Sequence, residues 1–269
     1  MESLKARRGV EVIRIAMPLP ATHQAVIDAY ARALQAHPNL RMALLTQVSH
    51  RTGLVLPVAE IAAMAKLYDI DVIVDAAHGV GQIDYRLPDL EAAFIGINLH
   101  KWIGAPLGVG AVVIRDGQLA DIDVDPAEPG ADPQDIRSRV HTGTPDYAAQ
   151  LAVPAALDFQ ESIGLAAKQA RLRALRDRWV GPARAMPGVE ILVPDEPGSY
   201  GAITSFRLKG QTSHEANVAL AKRLLEAHGI FTVHRDGLAS GSCVRVTPAL
   251  ATTMEEVDRL VAALRTIAG

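Results

Sequence analysis

Residues 71–82 read DVIVDAAHGVGQ and residues 98–115 read NLHKWIGAPLGVGAVVIR. The first stretch opens on a short apolar, β-branched run, the composition of a strand buried on both faces. Asp75 ends that run, so a carboxylate stands at the carboxyl end of a strand. In an open α/β sheet, ligands bind outside the carboxyl ends of the strands. Lys101 lies just past the next apolar run, residues 93–98, so both side chains can face one crevice. Spacing alone leaves two readings open. One is an ordinary salt bridge near a strand terminus. In the other, the lysine holds a carbonyl cofactor as a Schiff base and the aspartate pairs with a pyridinium nitrogen, keeping the ring an electron sink.

Outward from this centre, strand and helix alternate. Residues 10–17, 41–48, 71–76, 93–98 and 110–115 read as strands. Residues 22–36 repeat apolar side chains at helical spacing, and Pro57 opens a second helix at a position where its missing N–H is no loss. Apolar strands between amphipathic helices predict a mostly parallel sheet covered on both faces. Residues 116–140 are acidic, rich in Pro and Gly, and without period, which predicts a long functional or mobile loop. Helical patterning returns over 147–162, interrupted at Pro154, and continues through a basic stretch, 166–185. Short strands at 189–193, 202–208, 230–233 and 243–247 follow, with helices over 215–228 and 254–267. Capping boxes Thr212/Glu215 and Thr253/Glu256 start those helices. The expected organisation is a large cofactor-binding α/β domain over residues 1–164 and a small C-terminal α+β domain over 165–269.

Composition narrows the function. The chain has 269 residues, 49% apolar and 21% charged, which excludes global disorder. Lys plus Arg number 27 against 30 Asp plus Glu, a net charge of −3, so the basic field of a nucleic-acid binder is missing. The single cysteine, Cys243, excludes an intrachain disulfide and zinc-finger spacing. No apolar run has the length of a transmembrane helix, and Glu11 and Arg14 interrupt the apolar run near the start where a signal peptide would keep one. The expectation is a cytoplasmic protein with no bound metal, no nucleic acid and no membrane. A dinucleotide-binding reading fails because Val113 stands where the third glycine of G-x-G-x-x-G would fall.

Four segments taken together carry a resemblance: DAAHGVGQ (75–82), NLHKWIGAPLGVGAVVIR (98–115), HTGTPDYAAQLAVPAAL (141–157) and CVRVTPALATTMEEVDRLVAAL (243–264). In this order and spacing they resemble the class V aminotransferase-like family of pyridoxal-phosphate enzymes, on the isopenicillin N epimerase-like branch, over essentially the whole chain. The resemblance implies the large PLP-transferase (fold type I) domain with a small α+β domain, and pyridoxal 5'-phosphate as cofactor. Lys101 would form the Schiff base and shuttle the substrate's α-proton, and Asp75 would pair with the pyridine nitrogen. His78 matches the position that touches the ring hydroxyl. Asn98 and His100 match positions beside the phosphate, although relatives often carry Ser or Thr where Asn98 stands, and both could simply cap a turn. Thr144, in Thr142-Gly143-Thr144, matches a threonine serving the neighbouring subunit's phosphate, which implies a homodimer with shared active sites. A plain turn is its other reading. Arg245 matches the arginine that binds the substrate α-carboxylate, or is a strand-edge surface arginine. His50, in QVSHRTG (47–53), falls where relatives often place a polar residue near the cofactor.

The implied activity is epimerisation or transamination of an amino acid. Relatives usually carry further N-terminal sequence, which supplies the first strands, a phosphate-cradling turn and an aromatic that stacks on the ring. The expectation is therefore a sheet with an interior gap, and the alternative to an enzyme is an inactive remnant or one half of a split enzyme. A desulfurase is disfavoured. It needs a thiolate on a mobile loop well ahead of the carboxylate-binding arginine, whereas Cys243 sits two residues before Arg245 in an expected strand.

Overall fold

The computed structural model describes residues 2–128, 130–140 and 143–268. The elements in chain order are α1 (Glu2–Arg8), α2 (His23–Ala36), β1 (Met42–Thr46), α3 (Val58–Lys66), β2 (Asp71–Asp75), β3 (Phe94–Asn98) and β4 (Gly110–Ile114). Three helices follow: α4 (Tyr147–Leu151), α5 (Val153–Ile163) and α6 (Leu165–Arg184). Then come β5 (Val189–Ile191), β6 (Thr204–Leu208), α7 (His214–His228), β7 (Val233–Arg235), β8 (Cys243–Val246) and α8 (Met254–Ala268).

The first sheet has the order β1-β2-β3-β4, with β1, β2 and β3 parallel and β4 antiparallel to β3. Thr22 caps α2 by accepting from the Ala25 N–H at 3.3 Å. Val26, Tyr30 and Leu34 then form one buried stripe along α2. That stripe and Ile61, Ala62 and Ala65 of α3 pack on Leu45, Val72, Val74 and Ile95. Side chains alternate along a strand, so Met42 and Leu44 of β1 and Val112 of β4 point the other way. They are 45%, 52% and 62% exposed. The expectation that helices cover both faces is thus corrected: among the described residues one face is open. Continuous apolar runs report two apolar faces and do not say what covers them.

A second correction concerns residues 10–17, expected as a strand and irregular in the structure. A strand exists through its ladder, and β1 pairs only with β2 among the described residues. Among the described residues no ladder includes residues 10–17. The expected gap falls between residues 10–17 and β1, and among the described residues no ladder joins the two, while β1 to β4 are contiguous.

The second sheet, β5-β6-β8-β7, is antiparallel throughout. Its core joins α6, α7 and α8 through Trp179, Phe206, Leu224 and Leu264, with Trp179 edge-on to Phe206 at 5.9 Å. The Thr253/Glu256 capping box forms with both reciprocal bonds, at 3.2 and 2.9 Å. The Thr212 box is replaced by Ser213, whose hydroxyl accepts from the Ala216 N–H at 3.2 Å and shifts the helix start by one residue. The expected acidic loop carries two single 3-10 turns, Gln118–Asp121 and Ile136–Arg139.

Buried Gln82 joins the two halves near the strand ends. Its Oε1 accepts from the Ala202 N–H at 2.6 Å, and its Nε2 donates to the His78 carbonyl. The Ser205 N–H also donates to the Thr52 carbonyl at 3.0 Å. These bonds set the β6–β8 side of the second sheet against the turns that follow β1 and β2.

Candidate active site

The parallel strands β1, β2 and β3 all end at one sheet edge, and the turns after them carry most of the expected site residues. Asp75 is the last residue of β2 and is exposed. One carboxylate oxygen accepts from the Ala77 N–H at 3.0 Å, which folds the chain back and leaves the other oxygen available. Lys101, also exposed, follows the turn after β3. Desolvation lowers its pKa, Arg245 lowers it further, and Asp75 opposes both.

Two residues outside the expected set hold this turn. Buried Lys168 of α6 donates to the Trp102 carbonyl and to Gln160 Oε1 at 2.6 Å, and Gln160 Nε2 donates to the Ile103 carbonyl at 2.9 Å. Nothing in the basic stretch around Lys168 distinguishes it in sequence.

His78 lies in the turn after β2. The Trp102 indole N–H donates to its Nδ1 at 3.2 Å. The indole can only donate, so Nδ1 is the acceptor and the neutral ring carries its proton on Nε2. Burial, then the charges of Lys101 and Arg245, push the His78 pKa down to about 3, so the ring is neutral at ordinary pH. Trp102 stands beside Lys101, but its partnership with His78 has no signature in the spacing.

Arg245 reaches from β8 across to the turn after β1, where its Nη1 donates to the His50 carbonyl at 2.7 Å. Its Nε is buried without a hydrogen-bond partner. Burial and neighbouring Arg235 lower its pKa to about 10. His50 is exposed; desolvation, then Arg51, Arg235 and Arg245, lower its pKa, with Asp75 opposing. Arg235 and Arg51 thus belong to the electrostatic surroundings of the site, and sequence reasoning missed both because no motif frames them.

Asn98 ends β3 and lines, with Asp75, Gly96, Gly110 and Val112, an open groove of about 530 Å³ on the uncovered sheet face. His100 turns toward β4, where its Nδ1–H donates to the Val109 carbonyl at 3.1 Å. Thr144 is exposed, and no bond joins it to the other residues; Thr142 of the same motif lies outside the described residues. The structure therefore brings His50, Asp75, His78, Lys101 and Arg245 within electrostatic reach of one another. Asn98 sits beside them, and among the described residues no hydrogen bond joins Thr144 to them.

An amine with lowered pKa, a carboxylate with a free oxygen and an arginine with an unsatisfied buried N–H suit an anionic aldehyde and a carboxylate substrate. Burying an arginine N–H without a partner is unfavourable, so that group is complementary to an anion. The clustered cations make the surroundings positive.

The model of the Aminotransferase class-V family matches residues 1–260. Isopenicillin N epimerase of Streptomyces clavuligerus is 31% identical over 285 residues, covering 100% of this chain and 70% of that protein. The IscS-like cysteine desulfurase of Mycobacterium tuberculosis is 31% identical over 218 residues, covering 80% of this chain and 51% of that protein. Among solved structures, the complex between the cystine C-S lyase C-DES and its product cysteine persulfide superposes with a TM-score of 0.80 at 23% identity, covering 98% of this chain and 70% of that one.

Proposed function

Because this chain belongs to the aminotransferase class-V family, we propose that it is a pyridoxal 5'-phosphate-dependent enzyme acting at the α-carbon of an amino acid, by epimerisation or transamination. The observation that carries the proposal is the convergence of Lys101, Asp75 and Arg245 at the carboxyl end of the parallel strands.

Bound there, the cofactor supplies an aldehyde that condenses with amines and a ring that draws electron density from the α-carbon. Lys101 Nζ is the amine available to the aldehyde and the base that takes and returns the α-proton. Its lowered pKa keeps more of it unprotonated than in a free lysine. The free oxygen of Asp75 pairs with the ring N–H. Arg245 grips the substrate α-carboxylate with the N–H groups not given to His50. His78 keeps its Nε2–H for the ring oxygen. Asn98 and His100 would serve the phosphate, His50 the rim of the site, and Thr144 the partner subunit of a homodimer. No helix among the described residues is long and apolar enough to cross a membrane.

A desulfurase outcome fits less well. Cys243 is fully buried in β8, and burial raises its thiol pKa, the reverse of what an attacking thiolate needs. The open sheet face favours a second reading, in which further polypeptide must cover that face before the site works. The test is proton exchange at the α-carbon. With pyridoxal phosphate and a panel of L-amino acids in D2O, nuclear magnetic resonance should show loss of an α-proton signal that requires Lys101. Appearance of the D-enantiomer marks epimerisation, and a 2-oxo acid marks transamination. A folded, cofactor-saturated protein that exchanges no α-proton would support the second reading instead.

A further inference from the structure

Away from Lys101, the start of α7, strand β7 and the residue after it gather two imidazoles and a carboxylate. His214 is the first residue of α7, His234 lies in β7, and Asp236 follows β7 directly. One ligating atom from each lies within 4.8 Å of the other two. His214 Nδ1 is 3.0 Å from Asp236 Oδ2, and His234 Nε2 is 3.7 Å from the same oxygen. The two rings meet edge-on, with centroids 5.1 Å apart and planes at 87°. Ligands of a tetrahedral zinc, at bonds of ~2.0–2.1 Å, stand roughly 3.4 Å from one another. The two separations from Oδ2 bracket that value, all three side chains are partly exposed, and His214 Nδ1 also lies 3.1 Å from Asp236 Oδ1.

The carboxylate is also oriented from behind. The Ser242 hydroxyl donates to Asp236 Oδ1 at 2.7 Å. Ser242 is itself buried, and its N–H donates to the Thr212 carbonyl at 2.7 Å, one residue ahead of the α7 cap. Such outer partners leave the remaining oxygen of a ligating carboxylate aimed at the ion.

We propose that His214, His234 and Asp236 form a divalent-metal site of the zinc class that clips the loop after β7 to the start of α7. Two nitrogens and one oxygen suit zinc, cobalt or nickel, whereas calcium and magnesium prefer oxygen ligands. Three protein ligands leave one tetrahedral position for water. Alternation along β7 puts His234 on the opposite face from Arg235, whose charge reaches His50 and His78, so the metal stands outside the reaction site. It borders that site through Gly237, whose carbonyl accepts from Arg51 Nη1 at 2.8 Å.

The experiment is calorimetric titration of zinc chloride into the full chain, freed of any purification tag, dialysed against chelator and kept free of phosphate. Cobalt absorption then reads the coordination. One zinc per chain is expected, with cobalt bands of four- or five-coordinate geometry. His234→Ala and Asp236→Ala should each weaken binding at least about 100-fold, and Ser242→Ala about 10-fold. His23→Ala, which removes the exposed His23–Glu60 pair elsewhere, should leave it unchanged. Circular dichroism of each variant confirms the fold. Absence of stoichiometric binding at millimolar zinc would overturn the proposal. So would binding that survives both His234→Ala and Asp236→Ala.

Discussion

Arg245 is the residue whose chemistry is most constrained by its surroundings. Its Nη1 is held by His50, its Nε has no partner, and a second arginine crowds it. Arg245→Lys keeps the charge but loses the planar fork, so KM for the amino acid should rise roughly 10- to 100-fold with a smaller change in kcat, as steady-state kinetics would reveal. Asp75→Ala would remove the proposed ring partner and should lower turnover about 100-fold or more, while covalent capture of the cofactor by Lys101 persists. Replacing Asp75 or Arg245 by alanine also moves the titration of Lys101, in opposite directions. Asp75 raises that pKa and Arg245 lowers it. Capture of pyridoxal phosphate requires the uncharged amine. The pH midpoint of capture, followed by absorbance, should therefore fall in Asp75→Ala and rise in Arg245→Ala. The end of β2 at Asp75 was legible in sequence because an apolar run that stops on a charge marks its own boundary. Arg235, Trp102 and Lys168 were not, because their roles depend on which turn each faces after folding.

At the scale of elements, the turn bearing Lys101 is held by α5 and α6. Lys168→Met would leave the Trp102 carbonyl and Gln160 Oε1 without their donor. These bonds are part-buried, so their loss should cost about 1 kcal/mol in urea denaturation, the low end for an unsatisfied polar group. Thr253→Ala, which breaks the reciprocal cap of α8, should cost about 1 kcal/mol. The helices were readable because periodicity and caps are local. Even so, Ser213 displaced Thr212 as the cap of α7, since neighbouring hydroxyl residues compete for one backbone N–H. Strands were readable only where a ladder forms: 42–46 and 71–75 pair in one, and no ladder among the described residues includes the apolar run 10–17.

At the scale of the whole molecule, the described residues leave one sheet face uncovered, with Leu44 and Val112 more than half exposed beside Asp75 and Asn98. Apolar surface of this kind favours association. Leu44→Lys with Val112→Thr should reduce light scattering of the purified chain while leaving its circular dichroism unchanged. If Thr144 serves the partner's site, mixing Lys101→Ala and Thr144→Ala subunits should restore a minority of active sites, measured as recovered α-proton exchange. The central claim is that this chain carries pyridoxal phosphate on Lys101, and borohydride reduction of the cofactor-loaded protein followed by peptide mass spectrometry tests it most directly. The account predicts a pyridoxyl phosphate group on Lys101, absent from Lys101→Ala. A stoichiometric label on another lysine, or none, in protein shown to be folded would contradict it.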